Sequence, residues 1–274
     1  MTESLTFAEF NPEKDTTLVF LHGGGCAGWM WDDVIACLPN YHCLVPDLPE
    51  HGGSAQIKPF SMDLAANKTA ELIRAYAHGG QAVVVGLSEG AQVAVQMLAS
   101  SPEVMKGAMI SSALLLPMPG GRMYSSRGLI GMLFKMSVPP FRDNDWWIRL
   151  NMKHAAGIPE HYFDQFKASF QATTESQFVN LMVANQTYRL PQGLEKADLP
   201  VLVTCGKHEY KAMRQSARLL AMILPQAEFR VIDLGEGSGL AAEHNWALTA
   251  PQAFADSLTC WMEGRLLPGV LGQP

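Results

Sequence analysis

The chain has 274 residues, 48% of them hydrophobic, and a formal net charge of -6 at pH 7. That length and apolar content suit one large core, while the acidic balance and the absence of any Lys/Arg cluster argue against nucleic acid or an anionic membrane as a partner. No apolar run approaches the roughly 20 residues needed to span a bilayer, the first residues lack the basic and apolar pattern of a secretory signal, and the five cysteines are scattered without a C-x-x-C pair. A cytoplasmic protein with reduced thiols, no metal and no cofactor is expected.

In chain order, residues 5–10 read as an edge strand and 16–21 as a short β-rich run of the kind buried in a sheet, ending at His22-Gly23-Gly24-Gly25. Residues 29–38 read as a helix stopped by Pro39-Asn40. Residues 41–45 form the next strand, followed by the turn-rich loop Asp47-Leu48-Pro49-Glu50-His51-Gly52-Gly53-Ser54. Ser61 caps a helix with Leu64, Ala65, Lys68, Leu72 and Ile73 at helical spacing. A strand then begins at Ala82, and a helix runs from Ala91 to Ser100. Residues 107–113 supply another strand. Strand and helix in alternation imply a doubly wound, mostly parallel sheet covered on both faces.

The rhythm breaks over 114–121 and resumes with a strand near Val201. Residues 117–196 are therefore expected to form an inserted helical cap, with 1–116 and 197–274 as the α/β core. Helices are expected near 128–136, 143–154, 159–172 and 175–190. Phe134, Trp146, Trp147, Phe163, Phe166, Phe170 and Phe178, with Met123, Met132 and other methionines, make the segment rich in apolar side chains. Most must serve its own packing, but as a set they imply an apolar pocket beneath it, for which Gly25, Phe134, Trp146 and Phe166 are the candidate walls. After the strand at 201 come a helix over 212–224, a strand over 228–234, a glycine-rich loop over 235–239, and a final helix over 251–263. The tail from Leu266 is expected to fray.

Gly86-Leu87-Ser88-Glu89-Gly90 lies between the apolar run 82–85 and the helix that follows. A serine on a strand-to-helix turn is pushed up from the sheet edge, beside the unpaired N–H groups of a helix N-terminus. Ser88 is the candidate nucleophile. It needs a base and a group to orient that base, both from loops at the carboxyl ends of later strands. His244 answers to the base. Glu209 is the first candidate acid, with Asp233, then Glu236 or Glu243, as substitutes. Oxyanion donors are expected from the backbone N–H groups of Glu89 and Gly24. An acid at Glu89, in the first turn of a helix, is ordinary macrodipole chemistry or else a group that meets the substrate or His244.

The elbow at 86–90, the loop from Asp47 to Ser54, and Leu21-His22-Gly23-Gly24-Gly25 together resemble the α/β-hydrolase fold family across nearly the whole chain. The Asp47 to Ser54 stretch is similar to the family's D-x-P-G-H-G-x-S loop, with Glu50 in place of its glycine. The resemblance implies a serine hydrolase with a helical cap. Glutamate stands where the family more often has aspartate as the triad acid, and a single strand at the start implies seven strands where eight are usual.

The leading expectation is a carboxylic ester hydrolase using a Ser88-His244-Glu209 triad and an acyl-enzyme on a small to medium apolar ester. Carbon-carbon hydrolysis, lactone opening, amide hydrolysis and perhydrolysis on the same scaffold are the alternatives within enzymes, and a ligand-binding protein is the alternative outside them. The expected partner is a small apolar ester-like molecule. A homodimer is left open.

Overall fold

A computed structural model describes residues 3–118 and 126–274 of the chain. Pro119-Gly120-Gly121, in the expected break of rhythm, and Met123 lie outside the described residues. Eight strands form one sheet: β1 (Phe7–Phe10), β2 (Thr17–Leu21), β3 (His42–Pro46), β4 (Ala82–Leu87), β5 (Met105–Ser111), β6 (Val201–Gly206), β7 (Ala227–Ile232) and β8 (Leu271–Gly272). They lie in the order β1-β3-β2-β4-β5-β6-β7-β8. The six inner strands are parallel, and β1 and β8 close the two edges antiparallel.

The eighth strand corrects the expectation of seven. Leu271 pairs with Ile232 and is buried, so the tail docks instead of fraying. Two residues beside Pro268 and Gly269 are too few to show a period of two, which is why no pattern announced them.

Both faces of the sheet are buried, and the alternation of side chains decides which face each residue serves. In β2, Val19 and Leu21 join one core while Leu18 and Phe20 join the other. The first core lies under α2 (Met62–Tyr76), α3 (Glu89–Ser100) and α8 (Lys211–Ile223). The second lies under α1 (Asp32–Ala36), α10 (Trp246–Thr249) and α11 (Pro251–Met262). The Ser61 hydroxyl accepts from the Leu64 N–H and caps α2. The helix expected over 29–38 is instead a 3-10 turn, Gly28–Trp31, followed by the short α1.

Between β5 and β6 the described residues hold four α-helices: α4 (Arg127–Ser137), α5 (Asp145–Leu150), α6 (Phe163–Ala172) and α7 (Glu175–Thr187). A π-helical turn, Asn151–Ala155, continues α5. Helix α4 packs on α7 through Phe134 and Phe178, with ring centroids 5.6 Å apart. The segment is bound to the α/β layers by Ile148, Met152 and Tyr162 in the second core and Leu181 in the first. Polar contacts add to this: Trp29 Nε1 donates to Ser169 Oγ at 3.2 Å, and Asn185 and Gln92 exchange amide hydrogen bonds. Among the described residues no helix is long and apolar enough to cross a membrane, and no cluster of His, Cys, Asp or Glu could hold a metal ion.

Trp246 links the second core to the sheet. It is fully buried, packs against Phe254 with centroids 4.6 Å apart, and donates from Nε1 to Ser111 Oγ at 2.9 Å. Trp246→Ala is expected to cost about 3–5 kcal/mol of stability, read as a lower urea midpoint.

Candidate active site

The site is built at the carboxyl end of β4, where the chain turns into α3 within one residue. Ser88 is that residue, with φ 58° and ψ -112°, a conformation that a non-glycine residue adopts only where its surroundings force it. The Ser88 N–H is pinned to the Ser111 carbonyl at 2.9 Å. A Cβ on Gly86 would sit 2.4 Å from the Gly90 carbonyl oxygen, and one on Gly90 would sit 2.1 Å from the Leu21 carbonyl oxygen. Helix, β4 and β2 therefore touch backbone to backbone, and any side chain at 86 or 90 would wedge them apart.

Above Ser88 lies the turn after β2. The Cys26 N–H donates to the Gly23 carbonyl at 3.3 Å, closing a turn in which Gly25 takes φ 75°. The N–H groups of Gly24 and Glu89 have no protein acceptor among the described residues, and both residues border the same cavity as Ser88. Asp47 fixes the turn's far end, accepting from the Gly28 N–H and the Gly53 N–H at 2.7 Å each. His22 fixes its base: Nδ1 donates to the Gly23 carbonyl at 2.9 Å and Nε2 accepts from the Leu48 N–H at 2.9 Å. Both ring nitrogens are thus assigned, in the neutral form that burial favours by pushing the His22 pKa down to about 4.

Of the candidate acids, Glu209 meets His244. Its Oε1 lies 3.4 Å from His244 Nδ1, and the carboxyl is fully buried. Burial alone would raise its pKa. The hydrogen bonds and charge of His244, with donation from Ser112 Oγ and Cys205 Sγ, outweigh that and hold it below the usual glutamate value. Asp233 instead pairs with Lys207 at the surface, and Glu243 accepts from the His208 N–H and ring. His244 ends a short helix, α9 (Leu240–His244), where a loop was expected. Ser88 and His244 face one cavity without a direct hydrogen bond among the described residues. Such contacts commonly tighten only once substrate is bound.

The cavity measures about 1050 Å³. Gly25 and Phe166 line it, together with Phe170, Phe178, Leu181 and Met182. Two expected wall residues do not. Trp146 is 69% exposed on the outer side of α5, and Phe134 is buried against Phe178 within the helical segment. No lysine or arginine lines the cavity among the described residues, whereas Asp32, Asp47 and Glu89 do.

In the sequence His51 reads as a loop residue, and nothing local to it marks the contact it makes. His51 and Glu89 are both buried at the cavity wall, with His51 Nε2 3.5 Å from Glu89 Oε1. His51 Nδ1 faces the Pro49 carbonyl at 3.0 Å, so that nitrogen carries the proton and Nε2 is bare when the ring is neutral. Burial, with a smaller push from His22, drops the His51 pKa to about 3. Burial and the nearby Glu50 charge push Glu89 up to about 8. Near neutral pH the contact therefore joins an acid and an imidazole that are both uncharged. The signal in the sequence was the acid beside the serine, but its partner lies 38 positions away in the loop and no local pattern joins them.

The family model described as "Alpha/beta hydrolase family" matches residues 18–257. An AB hydrolase superfamily protein of Gibberella zeae is 28% identical over 98% of this chain and 87% of its own length. An esterase of Mycobacterium tuberculosis is 37% identical over 89 residues, which are 32% of this chain and 29% of that protein. Among solved structures, an esterase from Exiguobacterium antarcticum superposes with a TM-score of 0.73 at 16% identity, covering 94% of this chain and 95% of that one. At that identity the superposition speaks for the fold.

The pKa of Glu89 has a consequence for stability. A carboxyl whose pKa rises from 4.5 unfolded to about 8 folded contributes stability that is fully present below pH 4.5 and is lost as pH rises toward 8. Glu89→Gln removes that loss. Its melting temperature relative to the unaltered protein is expected to gain at least ~2 °C between pH 5.5 and pH 8.5, by calorimetry.

Proposed function

The chain belongs to the alpha/beta hydrolase family, and from that premise we propose that it hydrolyses carboxylic esters through an acyl-enzyme formed on Ser88. The observation that supports this most is the buried, ionised Glu209 set at 3.4 Å against Nδ1 of His244, a residue that lines the cavity which Ser88 enters from a strained turn.

In this reading Glu209 fixes the tautomer of His244, with the proton on Nδ1 and the Nε2 lone pair free to act as base. Ser88 Oγ attacks the ester carbonyl carbon as Nε2 removes its proton. Charge then gathers on the carbonyl oxygen, which the N–H groups of Gly24 and Glu89 receive. The tetrahedral species collapses, the carbon-to-alkoxy bond breaks, and the imidazolium returns its proton to the departing alcohol. Water, deprotonated by the same nitrogen, attacks the acyl carbonyl carbon; the bond to Ser88 Oγ then breaks, the imidazolium returns its proton to Oγ, and the acid is freed. The substitute acids at 233 and 243 have no part, since each is held by another partner.

Residues 117–196 act as the cap in this reading, with Phe166, Phe170, Phe178 and Leu181 supplying the apolar roof. A cavity of about 1050 Å³ accepts a medium-sized apolar acyl or alkoxy group. With acidic groups and, among the described residues, no lysine or arginine along its wall, it favours an uncharged substrate over a carboxylate-bearing one.

On a nitrophenyl ester panel, Ser88→Ala is expected to lower kcat by roughly 10⁴-fold or more, and Glu209→Gln by roughly 10²- to 10⁴-fold. Turnover by Ser88→Ala within about twofold of the unaltered protein would sink the proposal. Butyryl to octanoyl esters are expected to exceed acetyl esters in kcat/KM.

A further inference from the structure

Buried polar atoms without partners call for an explanation, and two of the few among the described residues face each other at the cavity wall: His51 Nε2 and Glu89 Oε1. At 3.5 Å their contact is at the outer limit of a hydrogen bond, and both atoms are closed off from the cavity, so it is the second carboxyl oxygen of Glu89, Oε2, that is left to meet a ligand atom. The surroundings are built to hold this carboxyl in place. Its Oε2 lies 3.3 Å from where a Cβ of Gly24 would stand, so the glycine leaves room for it. The titratable groups around it are His51 and Glu50 from the loop after β3, and Cys26 from the turn after β2. None supplies a positive charge near neutral pH.

We propose that Glu89 is a specificity-determining residue of the ester site, whose carboxyl hydrogen-bonds a neutral oxygen substituent, a keto or hydroxyl group, carried close to the scissile carbonyl. The inference rests on the reading of Ser88 as nucleophile. Its spatial logic is that one residue meets the substrate twice. The Glu89 N–H receives the carbonyl oxygen, and a glutamate carboxyl reaches roughly 4–5 Å from its own backbone nitrogen. A group hydrogen-bonded to it at ~3 Å therefore sits within two or three bonds of the reacting carbon, as in a 3-oxo or 3-hydroxy ester.

Two other substrate chemistries fit less well. An ammonium group needs several acceptors to replace its water, and beside Glu89 it would find a protonated carboxyl and an Asp47 already committed to the Gly28 and Gly53 N–H groups. A carboxylate would lie among Asp32, Asp47 and Glu89 with no lysine or arginine among the described residues to receive it.

The test uses the full chain and three nitrophenyl esters of matched length: butyrate, 3-hydroxybutyrate and 3-oxobutyrate. The ratio of kcat/KM for oxygenated over plain ester is read within each protein, alongside labelling of Ser88 by a fluorophosphonate. The unaltered protein is expected to favour both oxygenated esters by roughly 10- to 100-fold, and Glu89→Met to bring both ratios near one. A second readout guards against a poorly folded methionine variant. Above pH 8 the ionised carboxyl can accept from a hydroxyl but has no proton to donate to a ketone. The 3-oxo preference should therefore fall as pH rises past 8 while the 3-hydroxy preference holds, and in Glu89→Gln both should stay level with pH. Labelling with a ratio near one in the unaltered protein, or a ratio unchanged in Glu89→Met, overturns the assignment of Glu89 alone. A preference for an aminoalkyl ester replaces the neutral contact with an ionic one and also overturns it. A protein that neither labels at Ser88 nor turns over any of the three overturns the hydrolytic reading together with it.

Discussion

The packing of three backbones around Ser88 is the constraint on which the rest of the molecule depends. Strand β4 delivers the chain into α3 with no room for a Cβ at 86 or 90, because the Gly90 carbonyl of the helix lies against Gly86 and the Leu21 carbonyl of β2 lies against Gly90. That closeness forces Ser88 into its left-handed backbone, and the bond from its N–H to Ser111 holds it there. Strain of this kind persists only where the surrounding structure over-determines it. Here the over-determination comes from the middle of a parallel sheet, its most buried part, with β2 and β5 paired on either side of β4. The rigidity of the sheet thus becomes the positional accuracy of one hydroxyl group.

The polar groups around the cavity fall into two kinds. His22, Asp47 and Glu209 have their hydrogen bonds assigned on several sides, and each holds a loop in one shape. His51 and Glu89 are more deeply buried than Asp47 and under-partnered. The first group makes the site stiff. The second leaves hydrogen-bonding capacity at the wall, in a place where ionisation is disfavoured by the same burial that removes water.

How much of this was legible in the sequence follows from the range over which each feature is decided. The elbow could be read because strand, glycines and helix are consecutive, and its geometry is set within five residues. Glu209 could be proposed from its place after β6, but choosing it over Asp233 depended on Ser112 and His244, which are far from it along the chain, as well as on nearby Cys205. The aromatic content of the helical segment foretold an apolar roof, yet not which rings form it. Trp146 and Phe166 have the same composition signal, and only the way α5 and α6 dock turns one outward and the other inward. Strand β8 is two residues long and exists because Val231 and Ile232 offer it an edge.

Glu50 shows how a loop and a distant helix come to move as one part. It holds a backbone φ of 62°, where a glycine would rest without strain, and it is nonetheless a glutamate. Its carboxylate accepts from the Phe60 N–H at 2.8 Å and from Asn180 Nδ2 at 3.0 Å, and its carbonyl accepts from Gln177 Nε2. Asn180 and Gln177 both belong to α7. The residue is a latch: a strained backbone of order 1 kcal/mol is the cost of a side chain that ties the roof of the cavity to its floor. A glycine there would relax the turn and forfeit the bonds to Phe60 and Asn180, so the loop exchanges local comfort for a tie to α7.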